Sequence, residues 1–122
     1  MWTGIAGVSS DRIALLLSDI IENIERIQGY VHGLDQADFA HDSRTYDAVE
    51  RCLERICEAA VRLGDDAAAL MPEQPWDEIR GTGNWLRHAY HRVDSTLIWD
   101  TVERDLPKLL REARSALDRL EA

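Results

Sequence analysis

The sequence predicts an all-α protein, an up-down bundle of four to five helices. Three observations point there. Apolar residues recur at steps of three and four along most of the chain and nowhere alternate with the two-residue period of a strand. Proline (3) and glycine (7) are scarce and clustered, so the segments between breakpoints are long. The 122 residues suit one domain, and a hydrophobic fraction of 45% is ample for a core. Such a bundle has a thin core, and the wide apolar stripe of its first helix points to a homodimer.

Residues 1–9 are glycine-bearing and aperiodic and read as a loose lead-in to a single helical domain over 10–122. Ser9-Ser10-Asp11 offers an N-cap. Ile13, Leu16, Leu17, Ile20, Ile24, Ile27 and Val31 then line one helix face, with Gly29 and Gly33 at its end. Asp35 caps a short turn that tucks Phe39 under the longer helices. Asp42-Ser43 caps the next helix, whose buried face is Tyr46, Val49, Leu53, Ile56, Ala60 and Leu63. Asp47 with Arg51 and Glu58 with Arg62 are i,i+4 pairs on its wet face. Gly64 is a natural terminator.

Asp65–Leu70 adds a turn, and Met71–Pro75 is a linker. Trp76 opens a third helix with Asp77 and Glu78 in its first turn, running to about Tyr90. Val93-Asp94-Ser95 is a break with a fresh N-cap. Leu97, Ile98 and Val102 begin the last helical stretch, which Pro107 either kinks or restarts. Leu106, Leu109, Leu110, Ala113, Leu117 and Leu120 carry its apolar stripe to the end.

Several function classes drop out. The longest aliphatic run, Ile13–Leu17, is far short of a membrane span. The first residues have no basic and apolar pattern of a signal peptide, which places the protein in the cytoplasm. Cys52 and Cys57 lie about 140° apart around one helix and cannot bridge. The net charge of −9 repels phosphate backbones and argues against DNA coating. His32, His41, His88 and His91 form no HExxH run and no i,i+4 pair, so no metal site is expected. No phosphate-binding Gly-rich loop is present. Gly81-Thr82-Gly83 follows a helical segment rather than a strand, and no cofactor is expected.

Ile79–Val93 stands out. It holds Arg80, Arg87, Arg92, His88 and His91 and no acid, for a formal charge of +3 against −12 on the other 107 residues. Arg80, Asn84 and His88 are spaced i, i+4, i+8 along one helical stripe. Such a stripe suits metal-free RNA cleavage. A histidine can take the proton of a ribose 2′-OH or give one to the leaving 5′-oxygen. Arginine can hold the phosphate, and Asn84 can orient either. Arg87, Tyr90 and Arg92 add RNA-binding groups, Tyr90 by hydrogen bonding or stacking.

Pro75-Trp76-Asp77-Glu78-Ile79-Arg80-Gly81, Asn84, Leu86, His88-Ala89-Tyr90 and Val93-Asp94 together resemble the signature of the HepT-like HEPN toxins. Trp99-Asp100-Thr101-Val102 and Asp105–Leu110 extend the likeness, as do Asp47–Glu54 and Glu58-Ala59-Ala60 upstream. The resemblance implies a dimeric HEPN-like bundle with two active-site motifs across a shared cleft. It implies a metal-independent endoribonuclease, the toxin of a bacterial toxin–antitoxin pair. The antitoxin would be of minimal nucleotidyltransferase type, attaching AMP to Tyr90. The family motif places an arginine directly before the asparagine, and here that position is Gly83. Arg80, one turn earlier, or Arg87 could reach the same phosphate, and glycines 81 and 83 could admit RNA or a partner backbone. The alternative is a non-catalytic HEPN-like module that binds nucleotide, RNA or a nucleotidyltransferase partner.

Overall fold

The structure is a computed structural model that describes residues 2–88 and 94–122, with backbone alone for residues 2–9. The described residues form helices and connecting turns with no strand, so the fold is the all-α bundle expected.

Helix α1 spans Trp2–Val31. It starts before Ser9–Asp11, and residues 2–9 are helical rather than a loose lead-in. No proline interrupts them, and extending an existing helix adds a hydrogen bond per residue, against a cost of about 1 kcal/mol for each glycine. Gly33, at φ 80°, turns the chain after α1. Helix α2 (Gln36–Ala40) is capped by Asp35, whose carboxylate accepts from the Asp38 amide while Asp38 accepts from the Asp35 amide. This reciprocal cap fixes a helix too short to persist alone and drops Phe39, fully buried, between Tyr46 and Trp99 at ring distances of 5.7 and 5.3 Å.

Helix α3 (Ser43–Leu63) is capped by Asp42 through the Thr45 amide and hydroxyl, hydrogen bonds that hold the Asp42 carboxyl below its usual range. Gly64 ends it at φ 56°. Glu58 and Arg62 pair at 2.9 Å as expected, whereas Arg51 pairs with Glu54, one turn on, rather than with Asp47. Helix α4 (Asp65–Leu70) follows at once. The linker after it is anchored: Met71 is buried, and its carbonyl accepts from the buried Trp76 indole at 2.8 Å. That bond fixes where helix α5 (Trp76–His88) begins.

Asp94 caps helix α6 (Ser95–Asp100), which runs through a π-helical turn, Thr101–Asp105, into helix α7 (Leu106–Glu121). The wide turn is the structural answer to Pro107. Proline lacks an amide hydrogen and its ring crowds the carbonyl four residues back, and a π turn there opens the ladder without ending the helix. Helix α1 packs on α3 and α7, and α5 packs on the outer side of α3. The core is the meeting of Leu17, Ile20, Ile24 and Ile27 with Val49, Leu53, Ile56 and Ala60, closed by Leu109, Leu110 and Ala113.

Candidate active site

Helix α5 carries the expected site residues Arg80, Asn84, Arg87 and His88, and its seat on α3 decides which side chains face solvent. Trp76, Gly83 and Leu86 are its buried positions. A Cβ at Gly83 would lie 2.5 Å from the Cβ of Cys57 and 3.8 Å from its Cα. Gly83 is therefore where the two helices touch, and the absent side chain lets them touch. The sequence offered this glycine as a place for RNA or a partner backbone; its neighbour is Cys57 of the same chain. Gly81 faces open space.

This contact predicts a stability effect of unusual sign. Gly83→Ala adds helix propensity of about 1 kcal/mol. Overpacking against a side-chain atom that cannot swing aside costs about 1–3 kcal/mol, so a lower melting temperature is expected. A higher one in a thermal melt would show that the helices do not meet at Cys57.

Cys52 and Cys57 are buried free thiols, as expected. Burial pushes the Cys57 thiol up to about 11 from an ordinary 9.0, partly opposed by the Arg87 guanidinium and the Gly83 amide. Burial raises Cys52 as well. Between pH 9 and 11 an unfolded chain ionises a thiol that the folded chain keeps protonated. Stability is thus expected to fall as pH rises through that window. Cys57→Ala, which keeps the Cβ facing Gly83, should flatten the alkaline slope of the melting temperature. An unchanged slope would refute the thiol's part in it.

Arg80 does not lie with His88 on open surface. Its Nε donates to the Ala60 carbonyl at 3.3 Å and its Nη2 to the Gly64 carbonyl at 2.7 Å, with Asp77 3.6 Å from Nη1. Ala60 lies in the last turn of α3, whose carbonyls lack helical partners, and Gly64 is its C-cap, whose carbonyl also accepts from the Ala67 amide. A second arginine, Arg12, donates to the Arg62 carbonyl at 2.9 Å. Both cations sit at the negative pole of the α3 dipole, and Arg80 ties α5 to that pole.

Asn84, Arg87 and His88 are exposed. At about 100° per residue, Asn84 and His88 stand about 40° apart around α5, with Arg87 about 60° beyond Asn84. On the other side of His88, about 60° away, is Trp85, whose indole is 47% exposed. The order across the helix is Arg87, Asn84, His88, Trp85. Arg87 and His88 occupy the last turn, where positive charge suits the helix dipole. Sequence reasoning passed over Trp85, although a tryptophan off the apolar stripe, inside the acid-free stretch Ile79–Val93, was visible as a signal. Tyr90 and Arg92, expected to contact RNA, and His91 lie outside the described residues.

No cluster of three or more histidine, cysteine or acidic side chains among the described residues could hold a metal ion. A cleft of about 310 Å³ opens between α3, α5 and α7, lined by Ile56, Cys57, Ile79, Thr82, Lys108 and Leu109 among others, with none of the expected site residues in its wall. No described helix is long and apolar enough to cross a membrane.

The arrangement offers an imidazole, a carboxamide and a guanidinium side by side on an exposed face, the groups needed to move a proton beside a bound phosphate. Comparison with known proteins bears on that chemistry. The model of the family described as ribonuclease HepT-like matches residues 20–116. A protein of Thermococcus cleftensis named as a probable ribonuclease HepT is 41% identical over 93 residues, 76% of this chain and 84% of its own length. A protein of Methanocaldococcus jannaschii that carries an RNase name is 31% identical over 105 residues, 86% of this chain and 96% of its own. One from Caldanaerobacter subterraneus subsp. tengcongensis, also with an RNase name, is 30% identical over 103 residues, 84% and 92% of the two chains. No solved structure matches significantly. With a helical bundle of the expected kind and a match that spans α3, α5 and most of α7, this chain belongs to the HepT-like ribonuclease family.

Proposed function

We propose that the protein is a metal-independent endoribonuclease that cuts RNA by transesterification at α5. The observation that carries this reading is the exposed Asn84–His88 stripe on a helix that the ribonuclease family match includes. The His88 imidazole takes the proton from a ribose 2′-OH. The 2′-oxygen bonds to the adjacent phosphorus as the P–O5′ bond breaks, leaving a 2′,3′-cyclic phosphate and a 5′-hydroxyl. The leaving oxygen takes its proton from a second, protonated imidazole, which a homodimer supplies as the other protomer's His88. Asn84 orients the imidazole or a phosphate oxygen, and an arginine of α5 holds the phosphate charge. Trp85 offers a flat surface against which a base can stack.

The wider reading is a cytoplasmic toxin of a toxin–antitoxin pair. Its antitoxin is a minimal nucleotidyltransferase that attaches AMP to Tyr90, silencing the site by bulk and negative charge. The rival reading is a non-catalytic module that binds RNA, nucleotide or such a partner. It draws on the lack of a side chain at Gly83 and on Arg80's bonds to α3. Total RNA incubated with AMP-free protein in EDTA separates the two. Cyclic-phosphate ends made by wild type and not by His88→Ala establish the nuclease; binding without cleavage establishes the rival.

A further inference from the structure

The structure assigns the phosphate-holding charge of the site to Arg87 and a structural role to Arg80, an assignment that rests on the nuclease reading above. A phosphoryl group that turns five-coordinate without a metal needs a cation beside its equatorial oxygens. Helix α5 has two arginines, Arg80 and Arg87. Arg80 is engaged: its guanidinium bonds two backbone carbonyls at the end of α3 and faces Asp77. Releasing it to RNA would break both of these bonds and untie α5 from the end of α3. Position 83, one turn before Arg87, carries no side chain, and even a methyl group there would lie 2.5 Å from the Cβ of Cys57.

Arg87 meets the requirements that these two positions fail. It is exposed, directly precedes His88, and stands on the Asn84 side of it. The ion pairs of the described residues engage Arg26, Arg51, Arg62, Arg80, Arg104 and Arg114, and Arg87 takes no part in them. Glu54 acts on the Cys57 thiol from the same neighbourhood as Arg87, yet its carboxylate is held by Arg51 at 3.0 Å. An arginine side chain is long enough to cover the 100° between neighbouring helix positions.

The test compares Arg87→Ala, Arg87→Lys, Arg80→Ala and wild type in the full chain, each held well below its own melting temperature. Arg87→Ala should lower kcat for a short single-stranded RNA about 10²–10³-fold with an unchanged melting temperature, and Arg87→Lys should recover part of the loss. Arg80→Ala should melt several degrees lower and keep a kcat within about threefold of wild type. Binding of the all-2′-deoxy version of the oligonucleotide reads the phosphate grip without turnover. It should weaken, with a shallower salt dependence, in Arg87→Ala but not in Arg80→Ala. Full cleavage by Arg87→Ala, or a loss of binding and kcat in folded Arg80→Ala, overturns the assignment. Arg87-dependent binding with no cleavage by wild type overturns the nuclease reading and leaves Arg87 as the phosphate contact.

Discussion

His88→Ala is expected to cut the rate of RNA cleavage by about 10²–10⁴-fold, the usual worth of one well-placed proton-transfer group. The protein should fold as before. His88 is exposed in the last turn of α5 and contributes nothing to the buried face formed by Trp76, Gly83 and Leu86. Far-ultraviolet circular dichroism and the melting temperature should therefore stay close to wild type. Asn84→Ala should lose less, because an orienting group shapes the reaction without exchanging the proton itself. Equal cleavage by wild type and His88→Ala would remove the histidine from the mechanism and with it the proposed transesterification.

Phe39→Ala is expected to be the most destabilising single truncation in the bundle, at about 3–5 kcal/mol in urea unfolding. The ring is fully buried and packs against both Tyr46 of α3 and Trp99 of α6. Tilted aromatic contacts of this kind add about 0.5–1.5 kcal/mol to the loss of buried area. A helix of five residues cannot close the cavity by moving inward, because the Asp35–Asp38 cap fixes its backbone. Phe39→Leu should cost much less, since it keeps most of the volume. A measured loss below about 1 kcal/mol for Phe39→Ala would mean that α2 is not a clamp between α3 and α6.

Much of the fold was legible in the chain because short-range chemistry writes it. Asp35, Asp42 and Asp94 are read as N-caps from residue type and position, and each caps the helix expected of it. Gly64 was legible for the same reason. The start of α1 was not. Helix propagation depends on what precedes a residue, and an aperiodic stretch without proline can join a helix that its own pattern does not announce. The π turn before Pro107 was half legible: the proline marks the disturbance, but whether the helix stops or widens depends on packing over its full length. At the site, spacing put Arg80, Asn84 and His88 on one stripe. It could not show that the end of α3 lies against the first of these. That contact joins residues sixteen and twenty positions apart, and only tertiary structure brings them together.

The meeting of Gly83 with Cys57 also couples the choice of residue at one position to the choice at the other. A side chain at position 83 is relieved of this contact if residue 57 loses its Cβ, which only glycine does, or if α5 moves outward. The first route places a glycine inside α3 at a cost of about 1 kcal/mol. The second breaks the bonds from Arg80 to Ala60 and Gly64. An arginine at 83 is thus a change of one residue whose accommodation falls on others, at 57 or along the seat of α5.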